Sequence, residues 1–142
     1  MTWLSRAAVL LLTLGWLAGA AGAGAEQFEI EVMVSRIGDG AGGVDPAGAK
    51  LHGKLKQFRY ESLKVLETRR LELSLNEVGK LALPNGKSLR VRPLQLTDRG
   101  LLLAAHVGDI QTDLKLRKRH LVVIDAGPEG DGRLVVSFEA SW

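Results

Sequence analysis

The segment LALPNGKSLRVRPLQL, residues 81–96, decides the fold class of this chain. It contains an Asn-Gly dipeptide at residues 85–86, and this dipeptide between two alternating segments is the strongest short-range signal for a β-hairpin. After the turn, apolar residues alternate with arginines over residues 89–92, which places the apolar side chains on one face of a strand. The segment therefore predicts an antiparallel hairpin with one buried face.

Strands with similar patterns are predicted on both sides of this hairpin. They cover residues 28–35, 62–67, 70–75, 101–107, 110–116, 121–124 and 133–142, and residues 127–132 form a loop before the last of them. Turn signals about every 8–12 residues are typical of an antiparallel sandwich or a small barrel. We therefore predict a mainly β domain, either an antiparallel β-sandwich or a small open barrel of about eight strands.

One amphipathic helix is predicted after the first strand. Asp45-Pro46 is a typical helix start, because Asp accepts hydrogen bonds from the first N–H groups and Pro loses no hydrogen bond there. Apolar residues then recur at a spacing of three or four, at Ala47, Leu51, Leu55 and Phe58. This spacing predicts a helix over residues 46–58 that covers one open face of the sheet.

The first 25 residues have the pattern of a Sec-type signal peptide. One basic residue, Arg6, precedes an apolar run at residues 7–18, and the small residues that follow end in Ala-Gly-Ala at residues 23–25. The apolar run is shorter than the roughly 18 residues that a transmembrane helix needs. We therefore expect cleavage before Glu26 and a single domain, residues 26–142, that is periplasmic or secreted in a bacterium.

The composition excludes several classes of site and partner. The chain has no cysteine, which rules out disulfides, thiolate metal sites and thiol nucleophiles. The net charge is +3, and removal of Arg6 leaves 18 basic against 16 acidic residues, so nucleic acid is not an expected partner. No second long apolar segment follows, and we expect no transmembrane span in the mature chain.

No catalytic or metal-binding pattern is present in the sequence. The loop before Lys50 resembles a phosphate-binding loop, but that motif needs Gly before the lysine and Ser or Thr after it. Asp39 and Asp45 supply too few ligands for calcium. Three histidines lack the spacing of a zinc site: His52, His106 and His120. We therefore predict no catalytic residue, metal or cofactor; a hydrolase with an unrecognised site is an alternative.

The densest positive charge lies in a turn near residue 118. With its neighbouring lysine, this basic turn comprises Lys115, Arg117, Lys118, Arg119 and His120. Such a cluster can bind an anionic glycan or lipid, and the arginines at 69–70 or at 90 and 92 could extend it. The same residues are also typical of a solvated turn whose charges prevent unwanted edge pairing.

The last strand, RLVVSFEASW at residues 133–142, ends on an aromatic residue, as do the last strands of outer-membrane barrels. Five aromatic residues follow residue 25, which is too few for the aromatic girdles of a barrel in a membrane. A small outer-membrane β-barrel is therefore the less favoured alternative.

In a soluble sheet, Leu134, Val136 and Phe138 should face the core, and Arg133, Ser137 and Glu139 should face outwards. Trp142 is either a core residue or an exposed contact for a partner.

Several segments carry a resemblance to known proteins: QFRYES at residues 57–62, LALPNGK at 81–87, LLLAAHV at 101–107 and GRLVVSFEA at 132–140. The chain resembles a family of small exported bacterial all-β proteins. These proteins share a signal peptide, a short helix ending in an aromatic-x-Tyr-x-Ser turn, an LP-x-G hairpin and an apolar last strand. The resemblance covers residues 51–140. The family has no assigned activity, so the resemblance implies no functional residues.

Together these features predict a non-enzymatic accessory or binding domain of the cell envelope. Sheet proteins commonly present an edge strand to an extended protein segment, so an envelope protein is the first expected partner, with Trp142 as one contact. Binding of an anionic polysaccharide or lipid by the basic turn is the alternative.

Overall fold

The computed structural model describes residues 26–39, 42–55 and 58–142, which form eight strands and one short helical segment. The strands are β1 (Gln27–Gly38), β2 (Ser62–Ser74), β3 (Gly79–Ala82), β4 (Ser88–Thr97), β5 (Gly100–Val107), β6 (Ile110–Leu116), β7 (Leu121–Glu129) and β8 (Gly132–Ser141). They form two four-stranded antiparallel sheets, sheet A in the order β2-β1-β8-β7 and sheet B in the order β3-β4-β5-β6. The predicted antiparallel sandwich is confirmed. The predicted signal peptide lies outside the described residues.

The main core lies between the two sheets and is built by alternating side chains. Sheet A contributes Phe28, Ile30, Val32, Leu134, Val136 and Phe138, and sheet B contributes Leu89, Val91, Leu101, Leu103 and Leu116. Each of these side chains is at most 1 % exposed. Burial of side chains of this size stabilises the fold by about 1.5–3 kcal/mol each. The inward positions predicted for the last strand are confirmed.

A smaller apolar cluster lies on the outer face of sheet A, beneath the helical segment. Leu51 and Leu55 belong to this cluster together with Met33 and Val135 of the sheet. The predicted cover over one sheet face is therefore present. Ser137 does point outwards from the sandwich, but it is 1 % exposed, because the segment covers this part of the sheet.

The helical segment starts where the sequence predicts. Asp45 is the N-cap of a 3₁₀ turn at Pro46–Gly48, and its carboxylate accepts a hydrogen bond from the Ala47 N–H at 3.0 Å. One α-helical turn, α1 (Ala49–His52), follows. No helix in the described part of the chain is long and apolar enough to cross a lipid bilayer.

The predicted extension of this helix to residue 58 is wrong. The helix ends at residue 52, and Leu55 is buried from a non-helical position. Gly48 and Gly53 each lower helix stability by up to about 1 kcal/mol relative to Ala, and a helix of this length is marginal without tertiary contacts. Positions 56 and 57 lie outside the described residues.

Two further predictions of strand boundaries are corrected by the structure. The separate strands predicted at residues 62–67 and 70–75 form one continuous strand, β2, since no Gly or Pro interrupts the chain between them. The predicted loop at residues 127–132 is largely strand, because β7 continues to Glu129 after a register shift between Asp125 and Gly127. A proline within β7 is tolerated because β7 is an edge strand.

Candidate functional site

The fold distributes the residues of the predicted basic turn over different surfaces. Lys115 lies on the outer face of sheet B, and Arg119 lines a shallow acidic cleft on the outer face of sheet A. Arg117 and Lys118 lie together in the turn between β6 and β7, and His120 is exposed at the end of that turn. Lys118 and Arg119 also line a neighbouring cleft together, with Glu29 and Glu72. The structure thus keeps Arg117, Lys118 and Arg119 close together at this turn, whereas Lys115 lines neither cleft.

Trp142 closes one end of the main core. Its ring packs edge-on against Phe28, with centroids 6.2 Å apart and planes at 72°. The Lys118 Nζ lies 5.6 Å from the centroid of the Trp142 ring, within the range of a cation–π contact. Trp142 is partly buried by these contacts and acts as a core residue. Its role as a contact for a partner stays a prediction.

The carboxylates in the centre of the outer face of sheet A are held by cations. Glu31 and Glu139 lie directly opposite each other on β1 and β8, and the Lys50 Nζ donates to both, at 2.9 and 3.2 Å. Arg70 lies 3.6 Å from Glu29 and from Glu31. The hydrogen bond from Lys50 lowers the pKa of the Glu31 carboxyl, and the same bond raises the pKa of the Lys50 ammonium. Charge on this part of the face is therefore compensated within the protein.

The same compensation occurs between β7 and β8. Arg133 contacts the Asp125 carboxylate at 2.7 Å. Burial by itself would raise the pKa of Asp125, but hydrogen bonds from Arg133 and from the Gly127 N–H hold it below its ordinary value, with a further contribution from Lys87. This carboxylate, too, already has an internal counter-charge.

The outer face of sheet B, in contrast, carries cations that have no such partner. Lys80 and Arg90 lie directly opposite each other on β3 and β4, and His106 lies opposite Arg90 on β5. Arg92 projects from the same face two residues further along β4. In the part of the chain that the structure describes, Lys80, Arg90 and Arg92 form no ion pair. Like charges directly opposite each other destabilise a sheet, so this arrangement favours an external anion.

A cleft of about 870 Å³ lies beside these cations, between β2 of sheet A and the β3–β4 hairpin of sheet B. The hairpin lines it with Lys80, Lys87 and Arg90, and β2 lines it with Glu67 and Arg69. The two β2 residues form an ion pair with each other at 3.0 Å. We call this region, defined by these five residues, the cationic cleft. Asp109 also lines the cleft, so four cations face two carboxylates and the net charge of the cleft is positive. Lys87 also contributes to the counter-charge of Asp125.

The Asn-Gly turn predicted from the sequence positions the hairpin side of this cleft. Gly86 has a φ of 83°, in the left-handed region that favours glycine. The Asn85 Oδ1 accepts a hydrogen bond from the Lys87 N–H at 3.2 Å, and the Asn85 Nδ2 donates to the Ala126 carbonyl at 3.0 Å. The second bond ties the hairpin to β7, so the turn is held against the opposite sheet.

Lys80 and Lys87 are not among the site residues predicted from the sequence. Arg69 and Arg90 are predicted only as extensions of the basic turn, whereas the fold places them with the β3–β4 hairpin instead. The Asn-Gly signal alone does not give this pair, because a two-residue turn at Asn85-Gly86 would place Lys80 opposite Val91. In the structure the Leu83 N–H donates to the Lys87 carbonyl, and the resulting three-residue loop places Lys80 directly opposite Arg90.

A second cleft, of about 820 Å³, lies beside the loop that follows β1. Two of its charged groups already have partners: Asp45 accepts hydrogen bonds from the N–H groups of Ala47 and Val65, and Arg36 pairs with Glu129 at 3.3 Å. Its other charged residues, Asp39, Lys64 and Asp131, are of mixed sign, so this cleft carries no excess of positive charge. Among the residues that the structure describes, no group of three or more His, Cys, Asp or Glu could hold a metal ion. The cationic cleft is therefore the stronger candidate site.

By its topology the chain is a two-sheet antiparallel β-sandwich. No protein-family model, curated protein or solved structure matches it. The resemblance to small exported bacterial proteins stays a prediction, and we infer function from the geometry of the cationic cleft.

Proposed function

We propose that this protein is a non-enzymatic binding domain of the bacterial cell envelope that binds an anionic partner in the cationic cleft. One observation carries this proposal: Lys80 and Arg90 face each other across two strands and form no ion pair with any described residue. An anionic partner supplies the missing counter-charge. The signal-peptide pattern of residues 1–25 supports a location in the envelope or outside the cell.

The basic turn supports an anion site less well, because two of its residues have structural contacts. Lys118 lies over the ring of Trp142. Arg119 has a φ of 61°, and its N–H donates to the Ala140 carbonyl at 2.8 Å. These contacts attach the turn to the end of β8 and give its residues a role in closing the sandwich.

Retention on immobilised heparin, used as a polyanionic probe, tests the proposal. The double variant Lys80→Ser/Arg90→Ser removes two charges from the cleft and should elute at clearly lower salt than the wild type, since salt screens exposed charges. The matched control, Arg117→Ser/Lys118→Ser, removes two charges from the basic turn and should elute close to the wild type.

Two results would contradict the proposal. The first is unchanged elution of the cleft variant. The second is a larger loss of retention in the turn variant, which would transfer the binding to the predicted basic turn. Circular dichroism of each variant checks that the fold is intact.

A further inference from the structure

The free edge of β2 borders the cationic cleft and is only partly paired. β2 is an outermost strand of sheet A, and such a strand exposes a row of N–H and C=O groups. The loop after β1 pairs with the start of this edge: the Asp45 N–H donates to the Leu63 carbonyl at 2.8 Å, and the Leu63 N–H donates to the Gly43 carbonyl at 3.0 Å. Val44 and Leu63 form a parallel bridge. The protein's own chain therefore shows that an extended segment fits along this edge.

Further along, the same edge is open. Over residues 66–73, no strand or loop among the described residues pairs with the outer side of β2. At Ser74 the open stretch ends, because the Ser74 N–H donates to the Glu77 side chain at 2.9 Å. An extended chain rises about 3.3 Å per residue, so the open stretch is roughly 26 Å long. It has room for a peptide strand of similar length.

The open edge and the cationic cleft lie on the same side of the molecule. Glu67 and Arg69 of β2 line one wall of the cleft, and Lys80 of β3, the edge strand of sheet B, lines the other. Successive side chains of a strand point to opposite faces. A strand added to β2 would therefore direct every second side chain into the cleft, towards Lys80, Lys87 and Arg90.

We infer that the cationic cleft binds an extended polypeptide segment as an additional strand on β2, with acidic residues at alternate positions in the cleft. This inference rests on the proposed function and specifies the anionic partner as a protein. Main-chain hydrogen bonds to β2 give affinity, and the alternate carboxylates facing Lys80, Lys87 and Arg90 give selectivity. An acidic glycan or a lipid headgroup meets the same cations but cannot continue the hydrogen-bond ladder of β2.

Amide hydrogen exchange separates strand addition from charge attraction alone. The probe is a blocked eight-residue peptide in which glutamate alternates with valine, added to the purified protein at saturating concentration. Alternate amides within residues 66–73 should exchange at least tenfold more slowly when this peptide is bound. A saturating heparin fragment should leave the same amides unchanged. Equal exchange with and without the bound peptide would overturn strand addition.

Backbone methylation of the peptide provides a second readout. One methylated peptide carries N-methyl groups at the glutamates, and the other carries them at the valines. A strand added to β2 pairs through one of these two sets of N–H groups, so one methylated peptide should bind at least tenfold more weakly than the parent and the other should bind similarly. Equal dissociation constants for all three peptides would contradict the inference.

The variants of the heparin experiment distinguish the failure of this inference from the failure of the proposed function. Lys80→Ser/Arg90→Ser should bind the parent peptide at least tenfold more weakly, and Arg117→Ser/Lys118→Ser should bind it normally. If the cleft variant loses heparin and peptide binding but the β2 amides never respond, the proposed function stands and strand addition is overturned. If the binding of neither heparin nor the peptide depends on Lys80 and Arg90, both the proposed function and strand addition are overturned.

Discussion

The outer faces of the two sheets differ in cover and in charge. On sheet A, the helical segment covers the sheet, and Lys50 bridges Glu31 and Glu139. On sheet B, the face is open, and Lys80 and Arg90 lie opposite each other without an ion pair to any described residue. The net charge of the chain is small, so it does not reveal this asymmetry. The local distribution of charge, rather than its sum, determines where a charged partner is attracted.

The largest expected effect comes from removing the cover on sheet A. Leu51→Ala truncates a side chain that is 0 % exposed, and it should lower the free energy of unfolding by about 2–5 kcal/mol, measured by urea denaturation. The matched control is Leu102→Ala on the open face of sheet B, which should cost clearly less because Leu102 is only partly buried. Equal losses would show that the two faces do not differ in packing.

A smaller loss is expected when the bridge between Glu31 and Glu139 is removed. Lys50→Met leaves these two carboxylates directly opposite each other. Because the Lys50 side chain is 45 % exposed, solvent screens the interaction, and the loss of unfolding free energy at neutral pH should be about 1 kcal/mol or less. Lys54→Met is the control: Lys54 forms no ion pair among the described residues, so its loss should have no measurable effect.

The effect of Lys50→Met should also depend on pH. Folding lowers the pKa of Glu31 below its ordinary value of 4.5, so its contribution to stability is present above that value and is lost as the pH falls through the lowered pKa. Folding raises the pKa of Lys50 above 10.5, so its contribution is present below that value and is lost as the pH rises through the raised pKa. The difference between wild type and variant should therefore shrink at both extremes. If the difference in unfolding free energy between wild type and Lys50→Met is unchanged well below pH 4.5, Lys50 does not stabilise the fold by bridging Glu31 and Glu139.

An effect of opposite sign is expected for the serines beneath the cover. Ser35 and Ser137 are 0 % and 1 % exposed, and their hydroxyls have no hydrogen-bond partner among the described residues. Ser35→Ala removes a buried unpaired polar group and should raise the free energy of unfolding by up to about 1 kcal/mol. In the control, Ser62→Ala, a hydrogen bond from the Ser62 Oγ to the Gly38 carbonyl at 3.1 Å is lost, so stability should fall. A loss of stability in Ser35→Ala would show that its hydroxyl is paired.

The smallest expected change in stability lies on the open face of sheet B. Arg90→Thr relieves the repulsion with Lys80 and should raise the free energy of unfolding by about 0.2–1 kcal/mol at low salt, with less gain at high salt. Arg70→Thr is the matched control on sheet A, and it should lower stability because Arg70 is a counter-charge of Glu29 and Glu31. Denaturation of both variants at two salt concentrations measures the contrast. If Arg90→Thr instead lowers the free energy of unfolding by the same amount at both salt concentrations, Arg90 and Lys80 do not repel each other as proposed.

Much of the fold could be predicted from local patterns. The alternation of Leu134, Val136 and Phe138 predicts one buried face whichever strands lie beside it, because successive side chains point to opposite sides. The helix prediction was too long for a related reason. The spacing of Leu51 and Leu55 requires that both side chains reach the same sheet face, and a non-helical chain after residue 52 also satisfies this requirement.

The candidate site could not be predicted in the same way. Arg117, Lys118 and Arg119 are adjacent in the sequence, but Lys118 lies over the Trp142 ring and Arg119 lies beside acidic side chains of sheet A. Lys80 and Arg90 are ten positions apart and become direct neighbours through strand pairing. The densest run of basic residues in the sequence therefore indicated the basic turn, whereas the two basic residues that lie directly opposite each other and form no ion pair with a described residue belong to the cationic cleft.

The sequence by itself determined that the chain forms a mainly β domain, either an antiparallel sandwich or a small open barrel, and which side chains of its last strand enter the core, because both follow from turn residues and from the alternation of a strand. Only the tertiary structure decided which outer face is covered and which charges are paired. Lys50 reaches Glu139 because β8 returns to lie beside β1, whereas Lys80 and Arg90 become neighbours through strand pairing and form no ion pair with a described residue. Such pairing depends on contacts between distant parts of the chain, and local patterns contain no information about them.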